Sequence, residues 1–178
     1  MNDYGEVLDP STVRFERRLP GPINRVWEHL VDGDKRAKWL CGGDTDQEVG
    51  GRIHMHFVNN KLSDEPDDPP PEKHKDEPEE VSFEGEIIEF DPPNVFAHTW
   101  EYEGEHSAVR YELREDGDDV VLTLTHTRLN SPEEVLGVCG GWHAHLDLLG
   151  DVLAGRPTRA YWRTYTAYDL EYEQRLAQ

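Results

Sequence analysis

The stretch Ser131 to Gly155, SPEEVLGVCGGWHAHLDLLGDVLAG, constrains the fold more than any other part of the chain. Ser131 and Glu134 stand three residues apart, the spacing of a capping box, and Pro132 suits the first helical position because its missing N–H would have no partner there. Val135, Cys139, Trp142, Leu146, Leu149 and Leu153 recur every three or four residues and so share one side of a helix, with His143, Asp147 and Asp151 on another. Gly137, Gly140 and Gly141 are each unfavourable by about 1 kcal/mol relative to Ala inside a helix. They predict a break or a close backbone approach, with a firm helix only from Gly141 and Gly155 as its terminating glycine. His143 and Asp147, off the Trp142 stripe, are expected on a solvated flank.

A helix with one long apolar side needs a surface to cover it, and the preceding chain reads as strands. Ser11 to Leu19 alternates with period two; Pro22 then opens a helix with Ile23, Val26, Trp27, Leu30 and Val31 on one stripe, and Asp34 is expected to cap a second short one. Arg52 to Val58 puts Ile53, Met55 and Phe57 on one face and His54 and His56 on the other. Val81 to Phe90 and Val95 to Glu103 form a hairpin about Asp91-Pro92-Pro93-Asn94, with Phe96, His98, Trp100 and Tyr102 on one face of its second strand. Glu105 to Arg114 and Asp119 to Arg128 form another, matching Val109, Tyr111 and Leu113 with Leu122, Leu124 and His126. The arrangement that buries every apolar face is an α+β domain over residues 1–155: a curved antiparallel sheet wrapped around the long helix, with two short helices after the first strand. In the remaining 156–178, Tyr161, Tyr165, Tyr168 and Tyr172 fall on one stripe of a terminal helix from about Thr158 to Leu176, read as a core or dimer contact.

Charge narrows the partners. A formal net charge of −20 argues against nucleic acid phosphates and anionic membrane surfaces, leaving small apolar molecules or other proteins. Asp64 to Glu80 holds nine carboxylates against two lysines together with five prolines, a loop composition; the insertion 59–80 is expected to be disordered, with a lid as the alternative. Cys41 and Cys139 lack metal spacing and read as free thiols of a reducing compartment. With no basic-then-apolar leader and no apolar run near about 18 residues, the expectation is a cytoplasmic protein without membrane insertion.

In order along the chain, PGPINRVWEHLVDGDKRAKWL, a Gly-Gly before a strand, FEGEIIEFDPPNVFAHTW, VVLTLTHTRL and GGWHAHLDLLGDVLAG resemble the bacterial homologues of the heat-shock-protein-90 ATPase activator, in the START-like (SRPBCC, Bet v1-like) helix-grip superfamily. The resemblance runs from about Val13 to Gly155. It implies a cavity between the long helix and the sheet and assigns no reaction; the insertion 59–80 and the tyrosine-striped extension depart from the family pattern.

Phe57, His98, Trp100, Tyr102, Tyr111, His126, Cys139 and Trp142 are the candidate ligand-binding residues, large groups expected on the concave face. His98 and His126 are the best partners for a polar ligand group, since imidazole can donate and accept at once. No catalytic residue, metal ligand set or cofactor motif is assigned: Cys139 has no evident base, and the histidine pairs His54 with His56 and His143 with Asp147 do not converge. The leading expectation is non-enzymatic binding of a small apolar or aromatic molecule. The alternatives are a co-chaperone-like role, with a chaperone or a second copy of the chain as partner, and a cyclase- or hydrolase-type enzyme using His98 and His126.

Overall fold

The computed structural model describes residues 2–102, 104 and 106–177. Seven strands form one antiparallel sheet: β1 (Glu6–Asp9), β2 (Thr12–Pro20), β3 (Arg52–Phe57), β4 (Val81–Asp91), β5 (Val95–Trp100), β6 (Ser107–Asp116) and β7 (Asp119–Thr127), in spatial order β1-β2-β7-β6-β5-β4-β3. The hairpin partners fall where the alternation puts them, with Val109 opposite His126, Tyr111 opposite Leu124 and Leu113 opposite Leu122. Gly117 takes a positive φ of 65° in the tight connection between Asp116 and Asp119, a conformation glycine adopts without penalty. The expected strand limits Glu103 and Glu105 lie outside the described residues. The short edge strand β1 carries no apolar alternation and is held by its pairing with β2.

Among the described residues the α-helices are α1 (Ile23–Val31), α2 (Gly33–Arg36), α3 (Pro132–Leu153) and α4 (Tyr161–Leu176). The cap of α2 is Asp32, whose carboxylate accepts the Lys35 N–H at 3.0 Å, so the expected Asp34 cap is corrected by two residues. Behind it, the buried Arg36 guanidinium donates to the carbonyls of Leu30, Cys41, Gly43 and His54 and to Thr45 Oγ1, tying the loop after α2 to β3.

The expected break in α3 is absent. The helix runs unbroken from Ser131, which accepts the Glu134 N–H at 3.1 Å, while Glu134 accepts the Asn130 N–H at 2.5 Å. Only Gly140 serves close packing: a Cβ there would lie 3.4 Å from the Tyr165 ring and 3.5 Å from the Asp169 Cα on α4. Gly137 and Gly141 face open space, with nothing within 4 Å of a built Cβ. Packing outweighs propensity here because Val135, Cys139, Trp142, Leu146, Leu149 and Leu153 are all buried.

Docking of α4 decides the rest of the interior. Tyr161, Tyr165 and Tyr172 join the same core as α3 and the sheet. This helix covers the flank of α3 that was expected to be solvated. His143 is 2% exposed, stacks on Tyr168 with ring centroids 3.5 Å apart, and takes the Tyr172 hydroxyl at 2.9 Å. Asp147 is likewise drawn in, accepting from the Tyr168 hydroxyl at 2.9 Å and from Arg159 at 3.0 Å.

The acidic insertion, residues 59–80, packs on the same helix. It lies against α4, with 3-10 turns at Asn59–Lys61 and Glu72–His74, and caps that helix from a distance. Ala160, at the N-cap of α4, has no side chain able to cap. Instead Ser63 Oγ accepts the Tyr161 N–H at 2.7 Å, and the two oxygens of Asp67 accept the N–H groups of Trp162 at 2.8 Å and Arg163 at 3.1 Å. A carboxylate on first-turn N–H groups satisfies donors that the helix itself leaves unpaired and meets the positive end of its dipole.

Candidate functional site

Between α3, residues of β3, β5 and β7, α4 and the insertion lies a hollow of about 300 Å³. Its floor is aromatic. Trp100 meets Trp142 edge to face at 5.5 Å between centroids and tilts against Phe57 at 5.5 Å. The space exists because Gly137 and Gly141, one turn apart, present no side chain where an alanine or leucine would fill it. A neighbouring hollow of about 210 Å³ continues along the insertion and shares Phe57, Asn59, His74, Glu77 and Trp162 with the first.

Of the eight sequence candidates, Phe57, Trp100, Tyr102, His126 and Trp142 line the hollow. His98, Tyr111 and Cys139 do not: they are packed in the core at 1%, 2% and 0% exposure. The alternation that put them on the concave face is correct, but the sheet's curvature brings their part of that face into direct contact with its neighbours. Tyr111 stacks on Phe96 at 5.8 Å, and Cys139 is covered on all sides. Burial pushes the Cys139 thiol up to about 12 and Cys41 up to about 11, so both stay protonated at neutral pH.

His126 differs from the free ligand partner that its residue type suggests. Indole N–H only donates, so Trp142 Nε1–H to His126 Nδ1 at 3.0 Å fixes the tautomer. The proton then sits on Nε2, which donates to Ser107 Oγ at 2.7 Å, and that hydroxyl donates to the Trp100 carbonyl at 3.2 Å. Both ring nitrogens are therefore occupied. Burial pulls the imidazole down to about 3 and keeps it neutral. His98 donates Nδ1–H to the Thr99 carbonyl at 2.9 Å and is likewise pulled down, to about 4.

Other wall residues come from parts of the chain that the pattern reading did not connect. His145 donates Nδ1–H to the Trp39 carbonyl at 2.8 Å, which leaves the lone pair of the neutral ring on Nε2; burial lowers it to about 4. Tyr161, Trp162 and Tyr165 of α4 and Asn59, His74 and Glu77 of the insertion close the far side. His74 bridges the two, with Nδ1 on Glu77 at 2.6 Å and Nε2 on the Tyr165 hydroxyl at 2.8 Å. The glycine pair Gly137 and Gly141 was the available signal for the hollow, whereas nothing local marks Asn59. Among the described residues, no three His, Cys, Asp or Glu side chains converge as metal ligands would, and no helix is long and apolar enough to cross a membrane.

The family model for activator of Hsp90 ATPase homolog 1-like proteins matches residues 20–154. The chain belongs to that family. The match begins at the Pro20-Gly-Pro turn and ends with α3, so the family core is the helix and the sheet that grips it. A Bordetella parapertussis protein solved by solution NMR is 40% identical, with a TM-score of 0.79 over 98% of this chain and 91% of that one. CalU16 from Micromonospora echinospora is 22% identical, with a TM-score of 0.66 over 94% of this chain and 88% of that one. A conserved protein of unknown function from Enterococcus faecalis is 13% identical, with a TM-score of 0.69 over 98% and 90%. The last two share the fold alone. No curated protein matches significantly.

Proposed function

We propose that this family member binds a small, mainly apolar molecule with an aromatic portion in the hollow between α3 and the sheet. The observation that carries the reading is the pairing of Gly137 and Gly141 with Trp100, Trp142 and Phe57: an aromatic floor beside two positions of the helix that carry no side chain. A volume of about 300 Å³ is at the small end of ligand cavities, and walls that are mostly apolar with a few placed polar groups are what such sites use. Membership of a fold family whose members typically bind ligands supports it.

Native mass spectrometry of protein purified from its own cells tests the reading, with a retained small molecule at one-to-one stoichiometry as the expected result. Gly141→Leu fills the hollow without meeting a built neighbour at Cβ, so it should keep the fold and lose the adduct. A variant that retains the molecule, or a wild-type protein whose Trp signals respond to no small aromatic compound, counts against binding here. The co-chaperone role in the family's description is tested separately, by whether the protein changes the ATPase rate of heat-shock protein 90 and whether Gly141→Leu leaves that change intact.

A further inference from the structure

The far side of the hollow is one piece. Asp64 and Thr158 pair reciprocally, the Asp64 N–H donating to Thr158 Oγ1 at 3.0 Å and the Thr158 N–H to Asp64 Oδ2 at 2.9 Å. Trp162 Nε1–H donates to Asn60 Oδ1 at 2.7 Å, and Lys73 pairs with Asp169. With the Asp67 cap and the bond between His74 and Tyr165, these contacts tie the insertion to α4 from the start of the helix to Asp169. The unit so formed supplies Asn59, His74, Glu77, Tyr161, Trp162 and Tyr165 to the wall. The family match ends with α3, so the grip of the sheet on that helix does not include α4.

The seam that joins this unit to α3 and β2 is built differently. Burial of Tyr161, Tyr165 and Tyr172 favours docking, yet the β2 side holds a charge that docking does not satisfy. Arg17 is 5% exposed, with Tyr168 and Tyr172 of α4 near enough to act on its charge. Its Nη1 donates to the Glu16 carbonyl at 3.1 Å, but Nε and Nη2 are shut in without a hydrogen-bond partner, and Asp147 Oδ1 stands 3.9 Å from Nη2. A buried guanidinium short of acceptors is unfavourable, and water supplies them as soon as α4 lifts. Asp147 and His143 then exchange the hydroxyls of Tyr168 and Tyr172 for water at small net loss. Lifting is therefore less unfavourable than three buried tyrosines imply. Resting on the binding reading above, we infer that α4 and the insertion are one gate over the hollow: they lift together from α3 and β2 as a minor open state, and a ligand enters and leaves through that opening.

Hydrogen exchange of the full chain reads the opening directly. The Asp64, Trp162 and Arg163 amides and those midway along α4 should share one protection factor, at least about tenfold below that of α3 and β5–β7. Arg17→Met removes the unpaired buried charge and leaves Asp147 with Arg159 and Tyr168, so the shared opening should become about tenfold rarer, while protected α3 amides show that the variant is folded. A staple then tests passage. A Cβ at Gly140 lies 3.6 Å from the Asp169 Cβ, within the roughly 3.5–4.5 Å that a disulfide spans, so Gly140→Cys with Asp169→Cys can lock α4 onto α3. The probe is N-phenyl-1-naphthylamine, a neutral aromatic whose fluorescence rises in apolar sites. Oxidising the staple should slow its entry and its exit alike, by about tenfold or more, at unchanged affinity, and a reductant should restore both rates.

If the probe exchanges as fast in the stapled protein as in the reduced one, the gate is overturned and the binding reading stands. Amides of α4 that exchange only as slowly as those of α3 overturn it too, as does a protection factor for Asp64 that differs from that of Trp162, or an opening that Arg17→Met leaves unchanged or makes commoner. If the parent protein gives no saturable signal with the probe, both readings fall.

Discussion

Among the described residues five histidines sit at 6% exposure or less, and burial lowers them all; the shift is large for four of them, His98, His126, His143 and His145. In the unfolded chain each takes its proton near pH 6.5; in the folded chain they do so only at about 4 for His98 and His145 and about 3 for His126 and His143. Between those values the unfolded state holds more protons. Stability is therefore complete above pH 6.5 and falls as the pH drops through the window, by about 1.4 kcal/mol per unit for each group. Four such groups together exhaust a typical stability of roughly 5–15 kcal/mol within a few units. Tryptophan fluorescence should report cooperative acid unfolding by about pH 5, and a denaturant midpoint unchanged between pH 7 and 5 would contradict it. Arg36 supplies a second test at this scale. Arg36→Met keeps much of the apolar stem but leaves several buried carbonyls without their donor, so urea unfolding should show a loss of about 3 kcal/mol.

Among the elements, α3 and α4 show how a local rule and a tertiary demand trade against each other. Gly137 and Gly141 are unfavourable in a helix and have no packing reason, since a Cβ at either would touch nothing. Gly137→Ala and Gly141→Ala should therefore each raise stability by up to about 1 kcal/mol, read as a higher thermal midpoint. Gly140→Ala, which meets the Tyr165 ring at 3.4 Å and the Asp169 backbone at 3.5 Å, should gain less or lose. For α4 the cap is borrowed: Asp67→Ala removes the acceptor of two first-turn N–H groups and should destabilise by about 1–2 kcal/mol. Hydrogen exchange would locate that loss in the start of α4 and in the insertion together. Equal exchange in variant and parent would show that the cap does not hold them.

For the whole molecule, the insertion and α4 form one side of the hollow and are tied to each other by Asp67, Ser63 and His74. A bound ligand touching Asn59 and Tyr161 should accordingly slow exchange in both segments at once, while the far β1–β2 edge stays unchanged. Much of this architecture was legible in the chain. The capping box at Ser131, the apolar stripe through Trp142 and the matched hairpin residues are short-range patterns, and short-range patterns report which faces must be covered. They determined the strands from β2 onward, the long helix and the sheet that grips it, and five of the residues that line the hollow. What covers each face was decided only in three dimensions. Asn59 lines the same hollow as α3 residues far along the chain, His143 is buried by a helix that comes after it, and His98 and Tyr111 are closed in by the curvature of the sheet. Periodicity records the direction of a side chain relative to its own backbone. Burial, pairing and empty space depend on which other backbone arrives opposite it, and that was set by tertiary packing.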